Sequence, residues 1–171
     1  SWLSFDPGTG VLAGTPTNVN VGSHSIVLKA TDTSGELDSQ SFTITVNNVN
    51  DAPVITSSAI TSVNEDSGYS YTFAASDVDS GDSLTLSAQT KPSWLDFNAA
   101  TGVLSGTPTN NNVGSHSVVL KATDGSSAVD TQSFTITVNN VNDAPTITST
   151  PVTEATGGSG YTYTFAASDI D

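Results

Sequence analysis

The chain has 171 residues, enough for one or two ordinary domains, and it contains neither cysteine nor methionine, which excludes disulfides, thiolate metal sites and thiol chemistry. Its 17 acidic residues against three lysines and no arginine give a net charge of -14, which argues against nucleic acid and anionic membranes as partners and fits cations or simple solubility. No apolar run reaches the roughly 18 residues of a membrane span, so no membrane insertion is expected.

A long internal repeat organises the chain. Residues 1–52 match residues 93–144 without a gap at 40 of 52 positions, and residues 53–79 match residues 145–171 at 16 of 27 positions. The offset of 92 residues is too long for a solenoid unit and suits one autonomous β-sandwich. We therefore predict the C-terminal part of a repeat over 1–52, a complete repeat over 53–144, and the N-terminal part of a further repeat over 145–171.

Strand patterns follow one another along the complete repeat. The segments "YSYTFAAS", "SLTLSA", "HSVVLKAT" and "SFTITV" are bounded by clusters of Gly, Asn, Asp and Pro. In the last segment Phe134, Ile136 and Val138 share one face while Thr135 and Thr137 share the other, which is the period of a strand with one buried face. No stretch shows a helical period. The sequence predicts an all-β chain of tandem sandwiches joined by short linkers.

The eight residues "VNNVNDAP" mark the boundary between repeats and occur identically at residues 46–53 and 138–145. Proline stops a strand, and Asn and Asp form turns. A linker that only connects two repeats does not require an identical sequence. The segment is therefore a hinge, a binding site or both.

Acidic motifs recur near both linkers, namely "NVNDAP", "SDVDSGD" and "KATD", and a fourth motif, "VNED", occurs once. In "DVD", Asp77 and Asp79 face the same side of an extended chain, and about 4 Å apart they would repel by roughly 4 kcal/mol at an effective dielectric near 20. No arginine relieves them, and Ca²⁺ accepts about six to eight oxygen ligands, whereas zinc prefers His or Cys. The alternative interpretation is that these are turn residues and solvated surface acids.

The pattern "TGVLSGTP", "SHSVVLKATDG" and "SFTITVNNVNDAP" resembles the cadherin-like and Ig-like repeats of large bacterial surface adhesins, over essentially the whole chain. The resemblance implies Greek-key β-sandwiches with calcium at their junctions. "NVNDAP" looks like a shortened cadherin linker, "DVD" like the paired aspartates of the following domain, and "KATDG" like its third acid. A linker that shares ions with the next domain becomes rigid, so the resemblance implies that "VNNVNDAP" is both hinge and site.

The resemblance also implies which residues bind the metal. At the first junction the implied calcium ligands are Asn50, Asp51, Asp77, Asp79 and Asp124. At the second junction the implied ligands are Asn142, Asp143, Asp169 and Asp171, with Glu65 offered from the far end of the complete repeat. In the first repeat Asp32 is the counterpart of Asp124, and we expect it to face a paired-aspartate segment.

Two departures from the cadherin pattern bear on the number of ions. Cadherins carry an acidic segment before the penultimate strand, whereas "GTPTNNNVG" has Asn110, Asn111 and Asn112 and no acid. The further repeat has Gly157 where the complete repeat has Glu65. We therefore expect one or two calcium ions per junction rather than three.

The tryptophans and histidines offer other chemistry. Trp2 and Trp94 could be sugar-binding platforms, but the Leu and Phe that follow them in "SWL" segments favour core packing. His24 and His116 stand beside serines, yet a catalytic pair needs a third group and an oxyanion hole, so surface strand positions are predicted. Carboxylate pairs suited to glycoside hydrolysis are not excluded by sequence, but repetition argues against an active site.

These patterns predict a non-enzymatic extender segment of a secreted or cell-surface adhesin, in which calcium fixes the angle between adjacent repeats of the same chain. The alternative is a cadherin-like module that binds carbohydrate or another protein. Residues 1–52 lack the opening strands of a sandwich, and residues 145–171 are such strands. We therefore expect head-to-tail contact with another copy, unless a longer continuous array completes both parts.

Overall fold

The computed structural model describes all 171 residues, and strands dominate it. The strands are β1 (Leu3–Asp6), β2 (Val11–Gly14), β3 (Gly22–Thr31), β4 (Leu37–Val46), β5 (Val54–Ile55), β6 (Ser62–Asn64), β7 (Tyr69–Thr72), β8 (Ala75–Ser76), β9 (Thr85–Thr90), β10 (Leu95–Asn98), β11 (Val103–Gly106), β12 (Gly114–Thr123), β13 (Val129–Asn139), β14 (Thr146–Ile147) and β15 (Ala167–Ser168). Two 3-10 turns, Asn18–Asn20 and Asn110–Asn112, are the only helical segments, which confirms the predicted all-β fold. None of the helical turns is long and apolar enough to pass through a membrane.

The complete repeat forms a β-sandwich of two sheets. One sheet has the strand order β10–β11–β7, and the other has the order β6–β13–β12–β9. Every pairing in these sheets is antiparallel except that of β6 with β13, which is parallel. Along the chain the strands pass repeatedly from one sheet to the other, which is the Greek-key connectivity of an Ig-like sandwich. A further short pair, β5 with β8, follows the first linker.

Alternating apolar side chains from both sheets fill the interior. The buried residues of this cluster are Tyr69, Tyr71, Phe73, Leu95, Leu104, Val118, Leu120, Ala122 and Ile136. On β13 the predicted alternation is confirmed, because Ile136 and Val138 are buried, Phe134 packs against the cluster and the intervening threonines are exposed. Fully burying one such side chain contributes about 1.5–3 kcal/mol to folding, so this interior holds the sandwich together.

The flanking parts of the chain have the same hairpins without a closed interior. Residues 1–47 form two hairpins, β1–β2 and β3–β4, in the registers of β10–β11 and β12–β13. No strand pairing joins these two hairpins, and Phe5 is 46% exposed. After the second linker β14 pairs with β15, and Phe165 is 61% exposed whereas its equivalent Phe73 is 1% exposed. The closed hydrophobic core of the chain therefore lies in the complete repeat.

Candidate cation sites at the repeat junctions

Both linkers have the same local structure. The first connects β4 to β5, and the second connects β13 to β14. In the first linker the Asn50 side-chain amide donates to the Asp51 carbonyl oxygen at 2.9 Å, and in the second the Asn142 amide donates to the Asp143 carbonyl oxygen at 2.7 Å. Asn favours such side-chain bonds to nearby backbone, so the repeated sequence produces the same local bond twice.

The first junction brings the linker together with the acids of the complete repeat. The Asp51 N–H donates to Asp79 Oδ2 at 2.8 Å, and the Asp79 N–H donates to Asp77 Oδ1 at 2.9 Å. The Asn50 amide also donates to Asp124 Oδ2 at 2.8 Å. All five residues predicted for this junction therefore lie together, and their binding of calcium stays a prediction.

Asp124 is the most firmly held carboxylate of this junction. The hydrogen bond from Asn50 lowers the pKa of Asp124 below its usual value, the backbone N–H groups of Ala128 and Ser126 lower it further, and burial acts in the opposite direction. The two N–H groups donate to Asp124 Oδ1 at 2.7 and 2.9 Å. Both carboxylate oxygens are therefore bonded, and the residue carries a fixed negative charge.

Several carboxylates converge at the first junction without a compensating cation. Asp77, Asp82 and Asp124 each place an oxygen within 4.8 Å of the other two. Asp79 is 6% exposed, and its Oδ1, like Asp77 Oδ2, is buried with no hydrogen-bond partner. The one ion pair of the chain is formed by Lys91, outside this cluster. A buried carboxylate oxygen without a partner is costly, so the arrangement suits a cation.

The second junction repeats the backbone pattern of the first. The Asp143 N–H donates to Asp171 Oδ2 at 2.7 Å, and the Asp171 N–H donates to Asp169 Oδ1 at 3.2 Å. These bonds match the Asp51–Asp79 and Asp79–Asp77 bonds of the first junction. The predicted linker and paired-aspartate residues of the second junction are thus adjacent, although Asp169 and Asp171 are exposed whereas Asp77 is half-buried and Asp79 is buried.

Glu65 reaches the second junction because of the sheet topology. Strand β6 pairs in parallel with the end of β13, so the residue after β6 emerges beside the second linker. Glu65 is 2% exposed, its Oε1 accepts the Val141 N–H at 2.6 Å, and its Oε2 is buried with no partner. Oxygens of Glu65, Asp66 and Asp143 lie within 4.8 Å of one another. This junction therefore combines acids from both sides of its linker.

Asp32 is the one predicted site residue that lies apart from the other acids. Its Oδ1 accepts the backbone N–H groups of Ser34 and Glu36 at 2.8 and 2.9 Å, as Asp124 does in the matching loop. The residue is exposed, and no paired-aspartate segment lies beside it. Within the chain β3 and β4 form a hairpin that pairs with no other strand. The expected meeting of Asp32 with the paired aspartates of another copy stays a prediction.

Two acids of the clusters, Asp66 and Asp82, were not among the predicted ligands. Asp66 follows Glu65 directly in "VNED", has a φ of 57° and donates its N–H to the Pro108 carbonyl oxygen at 2.7 Å. Asp82 is the last residue of the "SDVDSGD" motif, from which only Asp77 and Asp79 are predicted as ligands. Its approach depends on Gly125, since a Cβ there would lie 2.6 Å from Asp82 Oδ1. Two features of the sequence point to these acids: Asp66 is adjacent to the predicted ligand Glu65, and Asp82 is the third acid of "SDVDSGD".

His116 also differs from its predicted role. Trp94 packs against the core as predicted. His116, however, is half-buried rather than a plain surface residue: its Nε2 lies 2.6 Å from the Asn112 carbonyl oxygen, and its ring meets the Trp94 ring edge-on at 5.9 Å. His24 makes the same contacts with Asn20 and Trp2. The repeated histidine therefore has a structural role in each repeat.

Fold and junctions together define a class, tandem Ig-like β-sandwiches with acidic residues gathered where the repeats meet. The chain belongs to the family described as "Putative Ig domain", whose model matches residues 1–47 and 52–139. The resemblance to cadherin-like and Ig-like adhesin repeats is thereby confirmed.

Relatives and solved structures agree with this assignment. The serine-rich adhesin for platelets of Staphylococcus aureus strain MRSA252 is 30% identical over 146 residues, which cover 84% of this chain and 10% of that adhesin. The adhesin of the same name from strain USA300 is 30% identical over 144 residues, 6% of its length, so the chain spans only a small part of these relatives.

The protocadherin GammaB4 extracellular domain has a TM-score of 0.62 at 23% identity, covering 99% of this chain and 33% of that one. Extracellular cadherin domains 1–4 of protocadherin Gamma B7 have a TM-score of 0.59 at 20% identity, covering 98% and 47%.

Proposed function

We propose that the chain is a calcium-rigidified extender segment of a large surface adhesin, with Ca²⁺ bound where repeats meet and no enzymatic activity. The observation that carries this proposal is a buried carboxylate oxygen without a hydrogen-bond partner at each junction, Asp79 Oδ1 at the first and Glu65 Oε2 at the second. Each belongs to a residue at least nine-tenths buried. Glu65 clusters with Asp66 and Asp143, and the Asp79 N–H is bonded to Asp77, which clusters with Asp82 and Asp124. A bound cation would satisfy both the orphaned oxygen and the repulsion.

The chemistry of the donors favours Ca²⁺ over other cations. The clusters offer carboxylate oxygens, and neither cysteine nor histidine takes part, which disfavours zinc. Ca²⁺ tolerates irregular sets of about six to eight oxygens, whereas Mg²⁺ demands near-octahedral geometry and sheds water reluctantly. At the first junction the proposed ligands are Asn50, Asp51, Asp77, Asp79, Asp82 and Asp124. At the second junction the proposed ligands are Glu65, Asp66, Asn142, Asp143, Asp169 and Asp171.

Calcium at these positions would act mechanically. At the second junction Glu65 and Asp66 precede the linker, Asp143 belongs to it, and Asp169 and Asp171 follow it. An ion shared among them would tie two successive repeats to the short segment between them. Such a joint loses its rotational freedom on binding, so the array would stiffen as calcium concentration rises. We expect one or two ions per junction.

The adhesin relatives support an extracellular or cell-surface location for the parent protein. The name of the staphylococcal relatives assigns platelet adhesion to those proteins, of which this chain matches a small part. The alternative, a module that itself binds carbohydrate or protein, remains a prediction. A glycan pull-down with and without Ca²⁺ separates the two, because an extender repeat retains no glycan under either condition.

A calcium titration tests the proposal. The melting temperature of the chain is measured in EDTA and in millimolar CaCl₂, and we expect an increase with a Kd of roughly 0.1–1 mM. At 100-fold excess over Kd, one site adds about 2.7 kcal/mol to the free energy of unfolding. Asp79→Asn should reduce the increase, whereas Asp38→Asn, in an exposed residue outside both clusters, should preserve it. Identical melting temperatures in EDTA and calcium would refute the proposal.

A further inference from the structure

A short asparagine-rich turn precedes the penultimate long strand in both repeats. In the complete repeat it is Asn110–Asn112, and the Thr109 N–H and hydroxyl both donate to Asn112 Oδ1, at 2.9 and 3.0 Å. In the first repeat Thr17 makes the same two bonds to Asn20. The side chain of the third residue of each turn, Asn20 or Asn112, thus closes the turn.

The turn is anchored to its sandwich by the repeated histidine. In the first repeat His24 Nε2 lies 2.6 Å from the Asn20 carbonyl oxygen, and the Trp2 ring meets the histidine ring edge-on at 5.6 Å. The complete repeat has the same contacts, made by His116 with Asn112 and Trp94. The position of the turn relative to the sandwich is therefore fixed, and with it the position of the first asparagine.

That first asparagine reaches into the junction. Asn18 donates from Nδ2 to Asp51 Oδ2 at 2.6 Å, and Asn110 donates from Nδ2 to Asp171 Oδ1 at 3.3 Å. Both recipients belong to the hydrogen-bonded chains described above, since the Asp51 N–H bonds to Asp79 and Asp171 Oδ2 receives the Asp143 N–H. Each bond therefore links the repeat before the linker to the acids that lie beyond that repeat.

We propose that Asn18 and Asn110 are positioning residues that clamp each junction, holding a linker or paired-aspartate carboxylate in the orientation in which it faces the cation. An amide suits this task, because it donates a hydrogen bond to a carboxylate without adding another negative charge to an already acidic site. The middle residue of each turn makes no such contact: Val19 is 91% exposed, and Asn111 is exposed. The effect of the clamp on calcium binding rests on the proposed function, whereas its effect on the orientation of the carboxylate does not.

Three variants of the full chain test the clamp at the first junction: Asn18→Ala, Asn18→Asp and the control Val19→Ala from the same turn. Amide exchange at Asp51 is measured by NMR in EDTA, and calcium affinity is measured by titration calorimetry. Asn18→Ala should speed exchange at Asp51 and weaken calcium binding, each by about 10-fold. Val19→Ala should match the wild type in both measurements.

The aspartate variant separates a positioning role from a merely structural one. In EDTA Asn18→Asp should speed exchange at least as much as Asn18→Ala, because two carboxylates then face each other. In calcium it should bind at least as tightly as the wild type, because the new carboxylate can share the cation. If Asn18→Ala behaves as Val19→Ala, or if Asn18→Asp is as weak a calcium binder as Asn18→Ala, the clamp is refuted. If the wild type binds no calcium, the proposed function fails, and the exchange data in EDTA still decide the clamp.

Discussion

Two carboxylates of the first junction, those of Asp124 and Asp79, differ in how many of their oxygens are hydrogen-bonded. Asp124 has both oxygens bonded, by Asn50 and by backbone N–H groups of its own loop. Asp79 has one bonded oxygen and one orphaned oxygen. A fully bonded carboxylate stabilises the folded loop without any ion, whereas a half-bonded one gains most when a cation arrives. The bonds of Asp124 therefore fix its position before any ion binds, whereas Asp79 keeps one oxygen free for the ion.

The environment of Asp124 predicts a pH dependence of stability. Its folded pKa is lowered, so its stabilising contribution is fully present above the unfolded pKa near 3.8 and is lost as pH falls through the lower folded pKa. In EDTA the free energy of unfolding of the wild type should exceed that of Asp124→Asn at about pH 7, and the difference should shrink below about pH 4. Urea unfolding at several pH values measures this. Asp38→Asn serves as the control, and a pH-independent difference would contradict the assignment.

At the scale of elements, two matched hairpins differ in how closely the chain approaches their turns. Gly102, in the turn between β10 and β11, has a φ of 71°, and a Cβ there would lie 2.3 Å from the Phe73 carbonyl oxygen. Gly10, in the turn between β1 and β2, also has a φ of 71°, but a Cβ there would meet open space. The same "TGVL" sequence thus carries a packing constraint in the complete repeat alone.

Gly102→Ala should therefore be more destabilising than Gly10→Ala. Both substitutions place an alanine at positive φ, which costs about 1–2 kcal/mol, and only the first also forces a backbone clash. Urea unfolding followed by fluorescence measures both, with Trp2→Phe and Trp94→Phe backgrounds assigning the signal to one repeat. Equal losses of stability in the two variants would contradict the packing argument.

The elements also show what could be predicted from the sequence. "SFTITV" reveals its buried and exposed faces locally, because the alternation lies within six residues. The paired aspartates were recognisable because they lie two residues apart. Glu65, by contrast, reaches the second junction only through the parallel pairing of β6 with β13. His116 stabilises the Asn110–Asn112 turn through its contact with the Asn112 carbonyl oxygen. Only a resemblance could suggest the first of these contacts, and nothing in the local pattern indicated the second.

On the scale of the whole molecule, the two flanking parts expose complementary faces. Residues 1–47 supply the equivalents of β10 to β13, and residues 145–171 supply equivalents of β5 and β8 together with Phe165, the counterpart of the buried Phe73. Among the accessible apolar side chains of the two parts, Phe5, Phe42, Tyr161 and Phe165 have counterparts that pack inside the complete repeat. Head-to-tail contact between copies remains a prediction on this basis.

Sedimentation of the chain over a range of concentrations tests that contact. We expect the average mass to rise with concentration, as residues 145–171 of one copy cover residues 1–47 of the next and bring Asp169 and Asp171 toward Asp32. Phe165→Ser should weaken the association, whereas Val19→Ser, in a still more accessible apolar residue of the Asn18–Asn20 turn, should not. A monomer at every concentration would refute head-to-tail contact between copies.

The copied linker has a geometric consequence. The bond from the linker aspartate N–H to the last of the paired aspartates is 2.8 Å at one junction and 2.7 Å at the other, and the neighbouring asparagine makes the same amide-to-carbonyl bond in both linkers. Bodies related by one constant rotation and translation lie on a screw. A longer run of such repeats would therefore wind with a fixed handedness and pitch, and its end-to-end distance would grow in proportion to the number of repeats rather than to the square root of that number, as in a flexible chain.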